Sequence, residues 1–107
     1  MATLEITDDN FQAEVVDSGA PVLLDFYATW CGPCKAIAPM METLAEEYAD
    51  RGLKVGKVDI DVARATAIKF GITGVPTLMF FKDGERVDQI IGAAAKPAVE
   101  SKLKGIL

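Results

Sequence analysis

The sequence predicts an α/β fold: a central mixed five-stranded sheet flanked by four helices, in the order β-α-β-α-β-α-β-β-α. Three observations carry this. The run "VLLDFY" at 22–27 is apolar on both faces, as suits a central strand covered on both sides. A second apolar run, "LKVGKVDI", follows after a helical stretch, so strands and helices alternate through the first half. The last part changes character: "VPTLMFF", a turn at "KDGE" and "RVDQII" read as an antiparallel hairpin. The 107 residues fit one domain, 1–107, and half of them are hydrophobic. A chain of this size buries roughly two-thirds of the surface its unfolded form exposes, so it does not need a disulfide to fold.

Taken in order, "ATLEI" alternates apolar and polar residues as a half-buried strand does. Thr7 is placed to cap a helix carrying "DDNFQAEVVDS", with acids in its first turn and Phe11 and Val15 on one face. "GAP" punctuates before the strand at 22–27. A long helix is expected from about Pro33 to Ala49, kinked at Pro39, which removes one hydrogen bond of the ladder. Asp61 is placed to cap a helix running through Phe70, which Gly71 ends. Gly92 breaks the last strand, and a closing helix runs from about Lys96, with Pro97 in its first turn, to Lys104.

Composition excludes several functions. The net charge is −5 with no basic cluster, so a phosphate backbone would be repelled and no nucleic-acid partner is expected. No segment reaches the roughly 20 apolar residues needed to span a membrane, and the start "MATLEITDDNF" lacks the pattern of a targeting segment. A cytoplasmic, reducing location and a monomer are the expectation. The chain has no histidine, which excludes Ser/His/Asp and Cys/His nucleophilic machinery and every histidine-containing metal site.

Both cysteines lie in "ATWCGPCKAIAPM", three positions apart. Residues i and i+3 share a helix face, so Cys31 and Cys34 can close a bridge. As a staple, a four-residue loop is worth only roughly 2 kcal/mol. A metal site needs four ligands, which a single pair supplies only if two chains share them. The remaining reading is a redox reagent. Cys31 sits at the helix mouth, where free N–H groups and the dipole favour an anion. An effect of about 1–2 kcal/mol there corresponds to roughly one pKa unit, enough to raise the thiolate fraction near neutral pH substantially. Cys34, a turn further in, is expected to be more buried. Cys31 would then attack and Cys34 resolve, with Pro33 stiffening the loop between them.

These residues resemble the active site of the thioredoxins. Beyond "WCGPCK", the resemblance takes in "VLLDFYA" before it, the helix proline, "GVPTLMFFKDGE" and "IIGAAAK", and so covers nearly the whole chain. Tyr27 departs from the family, which often carries a second tryptophan there; the change bears on spectroscopy more than on chemistry. The resemblance implies the thioredoxin fold. It also implies protein-disulfide reduction with no bound cofactor, the Cys31–Cys34 couple carrying the electrons. Disulfide-bearing client proteins would be the substrates. Electrons would come from NADPH through a thioredoxin reductase, a role in electron transport and cell redox homeostasis.

Other residues fit around this chemistry. Asp25 is a carboxylate in an apolar strand, either reaching water at the strand end or buried with its charge disfavoured. In the second case it could accept the Cys34 proton, directly or through a water. Lys57 in the neighbouring strand is either its counter-charge, as the resemblance implies, or a lysine snorkelling to solvent. The resemblance also implies a cis Val75–Pro76 bond facing the cysteines. It gathers Trp30, Gly32, Pro33, Ile72, Gly74, Val75, Gly92 and Ala93 into an apolar contact patch for clients. Lys35 reads as solvated, and Pro39 as a structural bend.

Two rivals remain open from sequence. A disulfide donor or isomerase would run the same exchange in the other direction. Such relatives more often place a histidine between the cysteines, where this chain has Gly32 and Pro33. A binding module with an incidental dithiol, or a metal-binding dimer, would belong to a different class.

Overall fold

A computed structural model describes residues 2–107. Five strands form one sheet in the order β1-β3-β2-β4-β5. They are β1 (Leu4–Ile6), β2 (Val22–Tyr27), β3 (Lys54–Asp59), β4 (Thr77–Lys82) and β5 (Glu85–Ile91). The pairs β1–β3 and β2–β3 are parallel, and β2–β4 and β4–β5 antiparallel, giving the mixed sheet expected from alternation followed by a hairpin. Helices α1 (Gly32–Glu47), α2 (Arg64–Lys69) and α3 (Lys96–Leu103) complete the frame with a π-helical turn at Gln12–Val16 and a 3-10 turn at Ala49–Arg51.

The period-2 geometry of β2 divides the core. Leu23 packs with Ile37, Met41 and Leu44 of α1 and Val99 and Leu103 of α3. Val22, Leu24 and Phe26 point the other way, toward Phe11, Val15 and Ala63. This is why the run at 22–27 carries no polar alternation: both of its faces are covered, and residues 22–26 are all buried. The β4–β5 turn places Asp83 at φ 53° and Gly84 at φ 82°, a hairpin geometry that Asp-Gly adopts readily.

Three expectations about helix ends need correction. The first helix is a five-residue π-helical turn, closed by Asp17 N–H donating to the Gln12 carbonyl, and the Thr7 side chain does not cap it. Asn10 instead accepts from the Thr7 N–H and donates to the Glu5 carbonyl, so the chain turns before it coils. Asp61 does not cap α2, which begins at Arg64. Its first-turn N–H groups at Ala65 and Thr66 donate to the carboxylate of Asp8, 57 and 58 residues away in sequence. The long helix runs continuously through Pro39 but ends at Glu47, and residues 49–51 tighten into the 3-10 turn before Gly52 at φ 81°. The closing helix starts at Lys96 as expected and ends at Leu103.

Candidate active site

The site is built where β2 ends and α1 begins. Cys31 is the residue preceding α1, in extended conformation, and Pro33 lies in the first turn, where its missing N–H costs nothing. This makes the Cys31 sulfur the capping atom of the helix: it accepts the Cys34 backbone N–H at 3.2 Å. The same sulfur lies 3.7 Å from the Val75 carbonyl oxygen. Cys31 and Cys34 are joined as a disulfide with Cα atoms 5.3 Å apart. Both are buried, at 5 % and 3 % exposure, so the expected contrast in burial is slight. What distinguishes them is position, since Cys31 faces free helix N–H groups and Cys34 lies inside the first turn.

The sulfurs belong to a small cluster of their own with Ala28, against which Tyr27, Ile60 and Val75 pack. Val75 leads into Pro76 through a cis bond, and the Pro76 carbonyl accepts the Gly92 N–H at 2.8 Å. Thr77 Oγ1 donates to the Gly74 carbonyl at 2.7 Å, fixing the entry to β4. Trp30 is 68 % exposed next to Cys31, and its indole N–H donates to Asp61 at 2.9 Å. Gly32, Pro33, Gly74 and Ala93 are exposed, Val75 and Gly92 are half-buried, and Pro76 is buried. Ile72 is half-buried and packs on the cluster containing Phe11 and Phe26, not on that of the sulfurs. Lys35 is exposed.

Asp25 is wholly buried. It stands on the face of β2 shared by Leu23 and Tyr27, in register with Lys57 on β3 and Leu78 on β4. Neither carboxyl oxygen has a hydrogen-bond partner. Burial pushes its pKa up from 3.8 to about 6; Lys57 opposes the rise and Glu5 adds to it. Lys57 acts on Asp25 as a counter-charge through space, and its ammonium lies 4.5 Å from the centre of the Tyr27 ring. No ion pair among the described residues includes Lys57. A cavity of about 220 Å³ opens beside Cys34 and is lined by Tyr27, Lys35 and Lys57 among others.

Two contributors escaped the sequence reading. Asp61 serves Trp30 and not a helix end; its position one turn before α2 made the capping role look stronger. Glu5, on β1, accepts the Tyr27 hydroxyl at 3.0 Å and lies in register with Lys57. A strand alternation that puts Glu5 on one face was visible, but the β1-β3-β2 order that brings it toward Asp25 was not. Among the described residues no group of three or more His, Cys, Asp or Glu gathers as metal ligands would.

A mixed sheet carrying a two-cysteine bridge at the N-terminus of its longest helix defines a domain built for thiol–disulfide exchange. Residues 2–105 match the family model Thioredoxin. The chain is 46 % identical over 103 residues to the thioredoxin of Porphyra purpurea, covering 96 % of this chain and 95 % of that protein. It is 53 % identical over 90 residues to thioredoxin C-2 of Corynebacterium nephridii, covering 84 % and 82 %. To the thioredoxin of Mycolicibacterium smegmatis it is 47 % identical over 108 residues, covering 99 % and 96 %. The chain belongs to the thioredoxin family. Its activity is dithiol–disulfide exchange, carried by the Cys31–Cys34 couple without a bound cofactor.

Proposed function

We propose that the chain acts as one domain that reduces client protein disulfides, with Cys31 as nucleophile and Cys34 as resolving thiol. The observation that carries the assignment is the Cys31 sulfur accepting the N–H of Cys34 at the mouth of α1. An anion there is favoured by that hydrogen bond and by the helix dipole, so Cys31 is the thiolate that attacks. It forms a bond to one client sulfur as the client S–S bond breaks and the other client sulfur leaves as thiolate. Cys34, deprotonated, then attacks the Cys31 sulfur. The Cys31–Cys34 bond forms, the second client thiolate leaves, and two electrons have passed to the client. Because the second attack is intramolecular, the mixed disulfide is short-lived.

Asp25 takes the Cys34 proton, directly or through a water, as that thiol attacks. Its support is a carboxyl group in an apolar interior with a pKa of about 6, able to gain and lose a proton near neutrality. Clients dock on Trp30, Gly32, Pro33, Gly74, Val75, Gly92 and Ala93, beside the buried Pro76, with the exposed Trp30 ring as the largest apolar element of the patch. The dithiol is regenerated by a thioredoxin reductase drawing on NADPH, in a cytoplasmic compartment where reduced thiols prevail. No helix among the described residues is long and apolar enough to cross a membrane.

Single-cysteine variants test the roles. With a disulfide-bearing client such as insulin, Cys34→Ser should accumulate a mixed disulfide through Cys31, visible on a non-reducing gel. Cys31→Ser should form none at the same rate. Equal trapping by both variants would overturn the assignment.

A further inference from the structure

One row of side chains crosses the sheet in register: Glu5 on β1, Lys57 on β3, Asp25 on β2 and Leu78 on β4. Lys57 therefore rises between two carboxylates. It closes an ion pair with neither among the described residues, and instead rests on the ring of Tyr27, which is on the same face of β2 as Asp25. An ammonium within about 6 Å of a tyrosine ring centre is held by the ring's negative face. The ring is itself anchored, because its hydroxyl donates to Glu5 Oε2 at 3.0 Å. That bond occupies one acceptor site of the Glu5 carboxylate. Desolvation and the hydrogen bond to Glu5 raise the Tyr27 pKa well above the ordinary phenol value, so the hydroxyl remains a donor at working pH.

We infer that Tyr27, tethered by Glu5, is a positioning residue that holds the Lys57 ammonium on its ring and off the Asp25 carboxylate. The consequence falls on the reaction. A lysine closed onto Asp25 would favour the charged form and make the carboxylate a poor acceptor for the Cys34 proton. Held aside, Lys57 acts on Asp25 through space only, and the carboxyl oxygens stay unpartnered. The groups that surround Asp25 are few. Lys57 comes from β3, Glu5 from β1 and the Tyr27 hydroxyl from β2, while Asp59 at the end of β3 acts on Tyr27; β4 contributes the apolar Leu78. From α1, Cys34 and Lys35 line the cavity that Tyr27 and Lys57 also line. Tyr27 thus stands where the family often carries tryptophan, with a hydroxyl that a tryptophan lacks and a strand neighbour that accepts it.

The functional consequence rests on the reading that Asp25 carries the Cys34 proton, but the positioning is measurable without it. Carbon-13 NMR of the aspartate side chains, with Asp25 assigned, reports its titration midpoint in the intact protein. Tyr27→Leu removes the ring and should lower that midpoint by about one pH unit, as Lys57 closes on the carboxylate. Tyr27→Phe keeps the ring and drops the tether, and should lower it less. In a Lys57→Met background both falls should vanish. A midpoint unmoved or raised in Tyr27→Leu would overturn the proposal, as would the same fall persisting without Lys57. Should Tyr27→Leu fail to fold, Tyr27→Phe and its Lys57→Met double variant decide by the same criteria. The pH profile of mixed-disulfide resolution, measured on the same variants, should move with the midpoint. If the midpoint moves and the profile does not, Tyr27 positions Lys57 as inferred and the proton role of Asp25 is what fails.

Discussion

Replacing Asp25 with asparagine should stabilise the fold at neutral pH and leave it unchanged in acid. The carboxyl is fully buried without a hydrogen-bond partner, and its pKa rises from 3.8 to about 6 on folding, chiefly through desolvation. Between those two pH values the folded chain binds more protons than the unfolded one, so stability falls as pH rises through this window. Below about pH 4 the acid is neutral in both states and nothing is lost. Above about pH 6 the loss is complete, and at about 1.4 kcal/mol per pH unit it is on the order of 3 kcal/mol. The amide side chain has nearly the same shape and no charge to bury, so Asp25→Asn should gain about 2–3 kcal/mol at pH 7.5. At pH 3.5 the two proteins should agree within about 0.5 kcal/mol. Urea unfolding of the oxidised proteins, followed by far-ultraviolet circular dichroism at both pH values, measures this. A gain of the same size at both would mean that packing, not charge, sets the difference. No gain at pH 7.5 would refute the buried, unpartnered carboxylate altogether. The proton role adds a kinetic expectation: the stabilised variant should resolve mixed disulfides more slowly.

Two further perturbations probe the frame around the site. Asp8→Ala removes the acceptor for the Thr66 N–H at 2.9 Å, the Thr66 hydroxyl at 2.7 Å and the Ala65 N–H at 3.2 Å, and should lower the urea midpoint with client reduction unchanged. Since these bonds hold the Asp8 pKa below its ordinary value, the stability they contribute is present above the unfolded pKa and is lost as pH falls through the folded one, so wild type and variant should converge in acid. Gly84→Ala places a methyl group at φ 82° and 2.6 Å from the Val16 carbonyl oxygen, and should cost about 2 kcal/mol or more in the same unfolding assay; a neutral result would mean the hairpin does not approach the π-helical turn so closely.

The strands were legible because burial leaves a direct record in side-chain type. Residues 22–27 form β2 with the bounds that their apolar run predicts, and the Asp-Gly turn marked the hairpin. The dithiol was legible for a different reason: cysteines three apart at a helix start have few chemical uses, and the bridge is present. Helix starts were misread where the acceptor came from elsewhere in the chain. Asp61 had the right chemistry and spacing to cap α2, yet Asp8 provides that service across the fold while Asp61 holds the Trp30 indole. Local sequence offers no means of choosing between a nearby carboxylate and a distant one. The same holds for Lys57, whose register beside Asp25 follows from parallel pairing but whose ammonium position depends on Tyr27 and Glu5, from two other strands.

The placement of the cysteines apart from the two main cores explains how one fold can serve both redox states. The cluster around Leu23 and Met41 and the cluster around Phe26 and Phe81 are each built without sulfur from either cysteine. Cys31 and Cys34 pack in a third, small group with Ala28 at the end of β2. Opening their bridge frees a loop of four residues, worth only roughly 2 kcal/mol, and removes no contact from either main core. The reaction therefore draws on a bond that the fold barely depends on. Asp25 makes the complementary case, since its buried, unpartnered carboxylate destabilises the protein at neutral pH. A sequence selected for stability alone would carry an apolar residue in that strand. On the proposed mechanism the carboxylate, with Tyr27 and Glu5 holding Lys57 aside, serves a proton-coupled exchange that a structural disulfide does not need.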